Sequence, residues 1–341
     1  MQPQRVTILG DGQMGIVMAS LLAQQPDPAR ICLWGHDARA IESLAQTRRS
    51  DRIREVILPD SVRITSRDDE AFADADLIIS AVPTQFIRPV WERLRAHAAR
   101  SPHASIVSVS KGIENSTLLL PIGILQDVLG EPEGQRSYAV LSGPTIAAEL
   151  ARCLPATMVV ASTDADLGER VQQLVNTSSM RIYTHEDPVG VEIAGATKNV
   201  IAIAAGILDG LKAGDNAKSA LLARGLAEIT RLGVAMGART ETFFGLAGVG
   251  DLATTCFSPM GRNRSLGEAL GKGRMLNDLL GETDSVVEGV ATTRSVMELA
   301  DRYEVEMPIA QAVHAVLYED LDPIDAIAML MSRPPSAERI G

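Results

Sequence analysis

The sequence predicts an α/β protein in which a doubly wound, mainly parallel β-sheet is followed by an all-helical C-terminal domain. The first half alternates short, continuously apolar strands with helical stretches, a rhythm typical of a parallel sheet covered on both faces. After about residue 188, long Ala/Leu/Ile/Glu-rich segments succeed one another and strand patterns almost disappear. The chain has 341 residues, more than one hydrophobic core usually supports, so we expect two domains.

The predicted elements follow from these patterns in chain order. Strands are expected at residues 6–9, 31–34, 62–65, 77–80, 106–109, 138–141 and 157–161, with a helix at 14–23 after the first strand. Helices of the second domain are expected at 189–211, 217–236, 285–303 and 309–318. Because Pro188 can begin a helix, the predicted domains are residues 1–187 and 188–341.

Composition excludes several classes of protein. A net charge of −11 argues against nucleic acid and anionic membranes as partners. The three cysteines are widely spaced, without the spacing of a metal site or a disulfide framework, so no metal is expected. The first strand pattern begins near the N-terminus and leaves no room for a signal peptide, which predicts a cytoplasmic protein. The longest apolar stretch contains Glu192 and Lys198, so no membrane-spanning helix is expected.

The segment Gly10-Asp11-Gly12-Gln13-Met14-Gly15 follows the first strand and opens the first helix. In this pattern Gly10 permits the tight turn, Gly12 lets a pyrophosphate approach the backbone, and Gly15 lets helix and strand pack closely. The helix N-terminus offers free N–H groups to the phosphates. An ordinary glycine-rich turn is the alternative, but strand, loop, helix and second strand all fall at the expected spacing. The first domain is therefore predicted to be Rossmann-like and to bind a nicotinamide dinucleotide.

The end of the second strand leaves the choice between NAD and NADP open. Here an acidic residue usually reads the ribose of NAD, whereas a basic residue accommodates the 2′-phosphate of NADP. Asp37 would suit the first, and His36 and Arg39 would suit the second. Trp34 is expected to be a packing residue.

Lys198 lies in a segment, residues 189–203, that is apolar nearly all round. Burial of an ammonium is costly and lowers its pKa unless it finds a partner. Oxidation of an alcohol needs a base for the hydroxyl proton, and a lysine tuned toward neutrality suits that task. The alternative is a structural lysine that extends to solvent at the domain edge.

Four further polar groups point to ligand binding. Two of them follow predicted strands, where open α/β sheets bind ligands. The third places a carboxylate in a segment that is predicted to be a flexible apolar loop. The fourth is a compact cationic group suited to phosphate binding. They are Ser110-Lys111-Gly112, Ser142-Gly143-Pro144-Thr145, Gly248-Val249-Gly250-Asp251-Leu252 and Arg262-Asn263-Arg264.

With these residues in place, the chain resembles the bacterial-type NAD(P)-dependent sn-glycerol-3-phosphate dehydrogenases over nearly its whole length. The matching motifs occur in the family's order. They are LWGHD (33–37), SKGIE (110–114), LSGPT (141–145), ATKNVIAIAAGILDG (196–210), RGLAEITRLG (224–233), GLAGVGDLATTC (245–256), GRNRSLG (261–267), VVEGV (286–290) and VEMPI (305–309).

The resemblance implies a role for each matching residue. Lys198 would be the proton acceptor, Asp251 would fix it and hold the substrate hydroxyl, and Lys111 would contact the substrate and lie near the nicotinamide on the cofactor side. The remaining substrate residues would be Gly143, Thr145, Gly261, Arg262 and Asn263, of which Arg262 and Asn263 would bind the phosphate. The remaining cofactor residues would be Gln13, Met14, His36, Ala147, Val286 and Glu288, together with Gly10, Gly12, Gly15 and Arg262.

The resemblance implies reversible hydride transfer between sn-glycerol 3-phosphate and dihydroxyacetone phosphate. The expected direction is toward glycerol phosphate, for phospholipid synthesis. A homodimer is a further expectation from the same resemblance. The chain departs from the family pattern at Asp11 (usually Ala), Met14 (usually aromatic) and Gly261 (usually Ser). The side chain of Asp11 is expected to point away from the pyrophosphate. Because Gly261 lacks the hydroxyl group of the usual serine, an alternative interpretation is a related enzyme that acts on another small phosphorylated or phosphonate ketone. A protein that only senses NAD(P) is the other alternative, although it would need none of the polar groups above.

Overall fold

The computed structural model describes residues 5–25, 28–130, 135–282, 286–334 and 337. It divides the chain into two compact units, Met1–Ser110 with Pro121–Pro188, and Lys111–Leu120 with Val189–Gly341. The predicted boundary between residues 187 and 188 places Lys111–Leu120 in the first domain, whereas the structure groups this segment with the second unit. The physical reason is that the buried side chains of Ile113 and Leu118 belong to the second unit's hydrophobic core.

The first unit is built on an eight-stranded sheet. Its strand order is β10-β9-β8-β7-β6-β1-β2-β5, and every neighbouring pair is parallel except β8 with β9. A separate two-stranded hairpin is formed by β3 and β4. The strands are β1 Arg5–Leu9, β2 Arg30–Trp34, β3 Arg49–Ser50, β4 Ile53–Ile57, β5 Arg63–Thr65, β6 Leu77–Ser80, β7 Ser105–Ser108, β8 Tyr138–Ser142, β9 Ala156–Ala161 and β10 Met180–His185.

The predicted parallel sheet is confirmed, and all seven predicted strands are present. The hairpin and strand β10 were not predicted. Strand β10 lies at the sheet edge and exposes several of its side chains, so it lacks the continuous apolar run that marked the inner strands. The helices of this unit are α1 Gln13–Ala23, α2 Ala38–Thr47, α3 Asp68–Phe72, α4 Thr84–Ala98, α5 Pro121–Leu129, α6 Ala147–Ala151 and α7 Ala165–Val175.

Among the described residues, the regular secondary structure of the second unit is entirely helical, as predicted. Its helices are α8 Pro188–Gly210, α9 Asp215–Ala235, α10 Asp251–Phe257, α11 Arg262–Gly271, α12 Leu276–Gly281, α13 Glu288–Arg302, α14 Pro308–Tyr318 and α15 Pro323–Met331. Four of these correspond to predicted helices, although the predicted start of α13 at residue 285 lies outside the described residues. Helices α10, α11, α12 and α15 are short, and their apolar periodicity was too brief to be recognised.

Helix α8 is apolar all round because it packs between two hydrophobic clusters. Ala196, Val200 and Ile203 belong to one cluster, and Ile193 and Ile201 belong to the other. The helix has 23 residues and a mean hydropathy of 1.5, so by length and composition alone it is long and apolar enough to cross a membrane. The expectation that no segment is apolar enough therefore needs correction. Some 89% of the most apolar stretch of this helix is buried inside the protein, which is typical of a core helix.

Helices α8 and α11 approach each other through glycines. A Cβ atom on Gly206 would lie 2.0 Å from the carbonyl oxygen of Arg264, and one on Gly267 would lie 2.0 Å from that of Ile203. No side chain fits at such distances, so these glycines allow backbone to pack against backbone. This contact brings the first turn of α11 onto the helix that carries Lys198.

Candidate active site

Lys198 lies in the middle of α8 with only 7% of its side chain exposed. Its ammonium group donates a hydrogen bond to the Asp251 carboxylate and a second, at 2.7 Å, to the Thr255 hydroxyl. The pairing satisfies the requirement that a buried charge have a partner. Lys198 is thus a core residue rather than a lysine that extends to solvent at the domain edge.

Asp251 joins Lys198 to a second lysine. Its Oδ2 atom lies 2.7 Å from Nζ of Lys111, while Oδ1 accepts from Lys198. Asp251 is 1% exposed. Two ammonium groups share one carboxylate, so this buried cluster carries an excess positive charge. An arrangement of this kind stabilises negative charge that develops on a nearby oxygen.

The environment lowers the pKa of Lys198 from 10.5 to about 8. Burial is the largest cause, because it penalises the charged form. The Asp251 carboxylate opposes this shift, and the nearby Lys111 ammonium adds to it. At such a pKa the amine exchanges protons readily near neutral pH, as a general acid or base requires.

The structure corrects the expectation that Asp251 lies in a flexible loop. Residues Leu246–Gly250 form a π-helical turn, and Asp251 is the first residue of α10. A carboxylate in the first turn is favoured by the helix dipole. Thr255, one turn later on the same helix, faces Lys198 as well. The glycine-rich composition suggested mobility, but tertiary packing imposes a helix here.

Arg262 and Asn263 open helix α11 and contact the start of α13. The Arg262 guanidinium donates to the Val286 carbonyl at 2.8 Å. The Asn263 amide oxygen accepts from the Gly289 N–H at 3.0 Å, and its nitrogen donates to Asn199 Oδ1 at 2.9 Å. Through these contacts, the predicted phosphate-binding residue Asn263 lies beside Asn199, which directly follows Lys198 in the sequence. Glu288, the first residue of α13, lies in the same cluster.

Arg264, the third member of the predicted cationic group, is directed elsewhere. Its Nε atom lies 2.8 Å from Asp209, which also accepts both contacts of Lys218 at 2.8 Å. Its guanidinium also pairs with Glu268 at 3.2 Å. The charge of Arg264 is therefore used to hold α11 against α8, which leaves Arg262 as the exposed cation of the group.

The glycine loop of the first unit fits a dinucleotide. Gly10 has a φ of +117°, and a Cβ atom there would lie 2.7 Å from the carbonyl oxygen of Ala81. A Cβ on Gly15 would lie 1.9 Å from the carbonyl oxygen of Gly10, whereas one on Gly12 would meet nothing within 4 Å. The open face at Gly12 and the uncapped N-terminus of the α1 helix are what a pyrophosphate needs. The Asp11 carboxyl lies against Gly35, because a Cβ there would be 3.0 Å from Asp11 Cγ.

At the end of β2, the Asp37 side chain is used to cap helix α2. Its Oδ1 accepts from the backbone N–H groups of Arg39 at 2.9 Å and Ala40 at 3.2 Å, and these bonds lower the pKa of the carboxyl. His36 is exposed at the same turn. Trp34 is 1% exposed and is a packing residue, as expected. The choice between NAD and NADP stays open at this turn.

The remaining predicted residues of the first unit lie on loops and helix starts. Gln13 donates through Nε2 to the Arg52 carbonyl at 2.7 Å, and Met14 packs partly on the hydrophobic core. Gly143 has a φ of +144°, and its carbonyl accepts from the Thr145 hydroxyl at 3.1 Å. Ala147 begins α6.

Sequence reasoning missed two polar residues of this site, Thr255, which contacts Lys198, and Asn199, which contacts Asn263. Both carried a usable signal. Thr255 is four residues after Asp251, on the same face of a helix, and Asn199 directly follows Lys198. Their polar contacts became recognisable only when α10 and α11 were placed against α8.

Comparisons with known proteins agree on one family. Residues 187–328 match the model described as NAD-dependent glycerol-3-phosphate dehydrogenase C-terminus, and residues 5–168 match the corresponding N-terminus model. Glycerol-3-phosphate dehydrogenase [NAD(P)+] 2 of Salinibacter ruber is 45% identical over 334 residues, covering 98% of this chain and 96% of that protein. The relative of the same activity from Syntrophotalea carbinolica is 42% identical, covering 98% and 99%.

A solved structure supports the same conclusion. The crystal structure of glycerol-3-phosphate dehydrogenase from Coxiella burnetii has a TM-score of 0.90 and 32% identity, covering 97% of this chain and 99% of that one. The sequence matches extend over both units. The chain therefore belongs to the NAD-dependent glycerol-3-phosphate dehydrogenase family.

Proposed function

We propose that this protein interconverts sn-glycerol 3-phosphate and dihydroxyacetone phosphate with NAD(P)(H), with Lys198 as the general acid and base. The observation that carries the proposal is the buried cluster in which Lys198 and Lys111 share the carboxylate of Asp251. A protein that only bound the dinucleotide would gain nothing from this cluster. Burial of Lys198 and Asp251 beside the partly buried Lys111 costs desolvation free energy, and a catalytic use of these charges accounts for it.

Proton transfer at the substrate oxygen is the task of Lys198. In the oxidative direction the neutral amine accepts the proton of the C2 hydroxyl as the C2–H bond breaks. In the reductive direction the ammonium returns that proton to the ketone oxygen. The nicotinamide, when bound, accepts or supplies the hydride.

Lys111 and Asp251 support this transfer. The Lys111 ammonium stabilises negative charge on the same oxygen, and it disfavours protonation of Lys198 by like-charge repulsion. Asp251 orients both amines through its two oxygens. Thr255 accepts a second hydrogen bond from Lys198 and so restricts the direction in which the amine points.

Arg262 and Asn263 are the proposed phosphate ligands. Arg262 is exposed and presents guanidinium donors suited to phosphate oxygens. The Asn263 amide oxygen is bound by Gly289 and one N–H by Asn199, so the amide can offer its second N–H to an anion. The glycine loop residues Gly10, Gly12 and Gly15 would hold the dinucleotide pyrophosphate.

The experiment compares a phosphorylated and an unphosphorylated substrate. In Arg262→Ala the Michaelis constant for dihydroxyacetone phosphate should rise on the order of a hundredfold, because a charge-assisted bond to phosphate is lost. The constant for unphosphorylated dihydroxyacetone should change little. Lys272→Ala, which removes an exposed cation just after the far end of α11, is the matched control and should affect neither. Equal effects of Arg262→Ala on both substrates would place the phosphate elsewhere.

A second candidate is supported by Gly261, which precedes Arg262 and provides no side-chain cap to α11. A Cβ at this position would lie 3.3 Å from the Thr255 carbonyl oxygen, and Gly261 offers only backbone next to the proposed phosphate ligand Arg262. Another small phosphorylated or phosphonate ketone would fit that description. Steady-state kinetics with dihydroxyacetone phosphate and such analogues decides between them, and a tenfold or greater preference for an analogue would favour the second candidate.

We also propose that the cellular role is to supply glycerol phosphate for phospholipid synthesis. The proposal follows from the reductive direction, which consumes a ketone and yields the backbone on which glycerolipids are built. A strain that lacks this protein should grow only when glycerol 3-phosphate is supplied. Unchanged growth and lipid content without the supplement would contradict this role.

A further inference from the structure

Lys111 is carried by the segment Lys111–Leu120, which packs in the helical unit rather than with the sheet that precedes it in sequence. The segment is anchored by Ile113, which is fully buried, and by Leu118, which is 7% exposed. One glycine, Gly112, separates Lys111 from Ile113. Glycine imposes little preference on the backbone. The position of the Lys111 amine therefore depends on how firmly the residues after Gly112 are held.

Helix α13 contributes a hydroxyl group that contacts this segment at two residues. Ser295 is 0% exposed. Its Oγ atom lies 2.6 Å from Oδ1 of Asn115 and 3.2 Å from the carbonyl oxygen of Ile113. The partners are 180 residues apart in sequence. The hydroxyl has one proton to donate, and the shorter contact is to Asn115.

A fully buried serine in this helix is costly unless its hydroxyl is bonded. Alanine would fill nearly the same space and favour the helix more. The hydroxyl is therefore explained by what it binds, and both of its partners belong to the segment that carries Lys111.

We propose that Ser295 is a positioning residue, which fixes the segment after Gly112 and so holds the Lys111 amine against Asp251. The inference rests on the proposed role of Lys111 in the reaction. It adds helix α13 to the elements that position residues of the active site. The first turn of this helix also contacts Asn263 through Gly289. One helix would then fix both the second lysine and a proposed phosphate ligand.

Ser295→Ala tests the proposal. We expect turnover to fall on the order of tenfold, because small displacements of a positioned group cost rate steeply. We also expect the pH at which Lys198 titrates to rise. The titratable groups that act on the Lys198 amine are Asp251, Lys111 and Cys256, and of these Lys111 lowers its pKa, so displacement of Lys111 relieves that effect. A loss of packing confined to α13, which leaves Lys198 buried and Lys111 in place, would not move the titration.

Thr292→Val is the matched control. Thr292 lies one turn earlier on α13, is 0% exposed, and its hydroxyl has no hydrogen-bond partner among the described residues. The substitution should leave turnover and the pH profile unchanged, whatever it does to thermal stability. Asn115→Ala removes the other end of the contact from a loop and should reproduce both effects of Ser295→Ala, even if that variant folds poorly.

The decisive measurement repeats Ser295→Ala in a Lys111→Ala background. If Ser295 acts through Lys111, the second substitution should cost no further turnover in that background. Equal losses in both backgrounds, or an unmoved pH profile in Ser295→Ala and Asn115→Ala, would overturn the positioning role alone. Full turnover in Lys111→Ala would instead overturn the role of Lys111, and the inference with it.

Discussion

The pH dependence of the two reaction directions should report the titration of Lys198. Its pKa is lowered from 10.5 to about 8, mainly by burial, which corresponds to about 3 kcal/mol against the ammonium form. At about pH 7.5 roughly a quarter of the amine is then neutral, against about one part in a thousand for an unshifted lysine. The structure therefore supplies a base that is available at neutral pH and an acid that is still abundant.

The assay is kcat/KM from about pH 7 to pH 10, a range above the titration of the substrate phosphate. For glycerol phosphate oxidation the value should rise with pH and level off above about 8, because the neutral amine is the reactive form. For ketone reduction it should fall above about 8, because the ammonium is required. Lys198→Ala should lower turnover on the order of a hundredfold or more in both directions while cofactor affinity barely changes.

Asp251→Asn sharpens the test. The carboxylate holds the Lys198 pKa up, so its removal should shift both pH profiles down by about one unit or more, in addition to lowering the rate. Asp209→Asn is the control, because Asp209 also pairs with a buried lysine, Lys218, but does not contact Lys198. Profiles that coincide in wild type and Asp251→Asn would refute the assignment of the titration to Lys198.

Two further predictions concern stability and cofactor binding. Burial raises the pKa of Glu228 to about 7, although its carboxylate accepts the N–H groups of Ile309 and Ala310. The free energy of unfolding should therefore fall by about 1–2 kcal/mol as the pH rises from about 6 to 9, because Glu228 loses its proton in this range. In chemical denaturation, the Glu228→Gln variant should show a smaller fall. An equal fall in the wild type and the variant would contradict the assignment of this pH dependence to Glu228. The Gly12→Ala variant should fold normally, because the added Cβ meets no protein atom within 4 Å. In a fluorescence titration it should bind NADH or NADPH at least tenfold more weakly, because the methyl group occupies space that the pyrophosphate needs. Unchanged affinity would show that the pyrophosphate does not bind at this loop.

The parallel sheet, the glycine loop and the apolar helix that carries Lys198 were all predictable from the amino-acid sequence. Each depends on a short-range pattern. Apolar runs of strand length, three glycines after a strand and a lone lysine in an apolar helix are all recognisable within a few residues. The family motifs added Asp251, Lys111 and Arg262 as residues of one site.

The contacts among these residues depend on how the helices pack in three dimensions. Asp251 lies 53 residues from Lys198 and 140 from Lys111, and its glycine-rich surroundings suggested a loop where packing imposes a helix. The assignment of Lys111–Leu120 to the helical unit likewise depends on the side chains that surround Ile113. Ion pairs and pKa shifts depend on distance and burial in space, which local sequence patterns do not contain. The lysine was therefore recognisable from sequence, but its partners and its acidity were set by the fold.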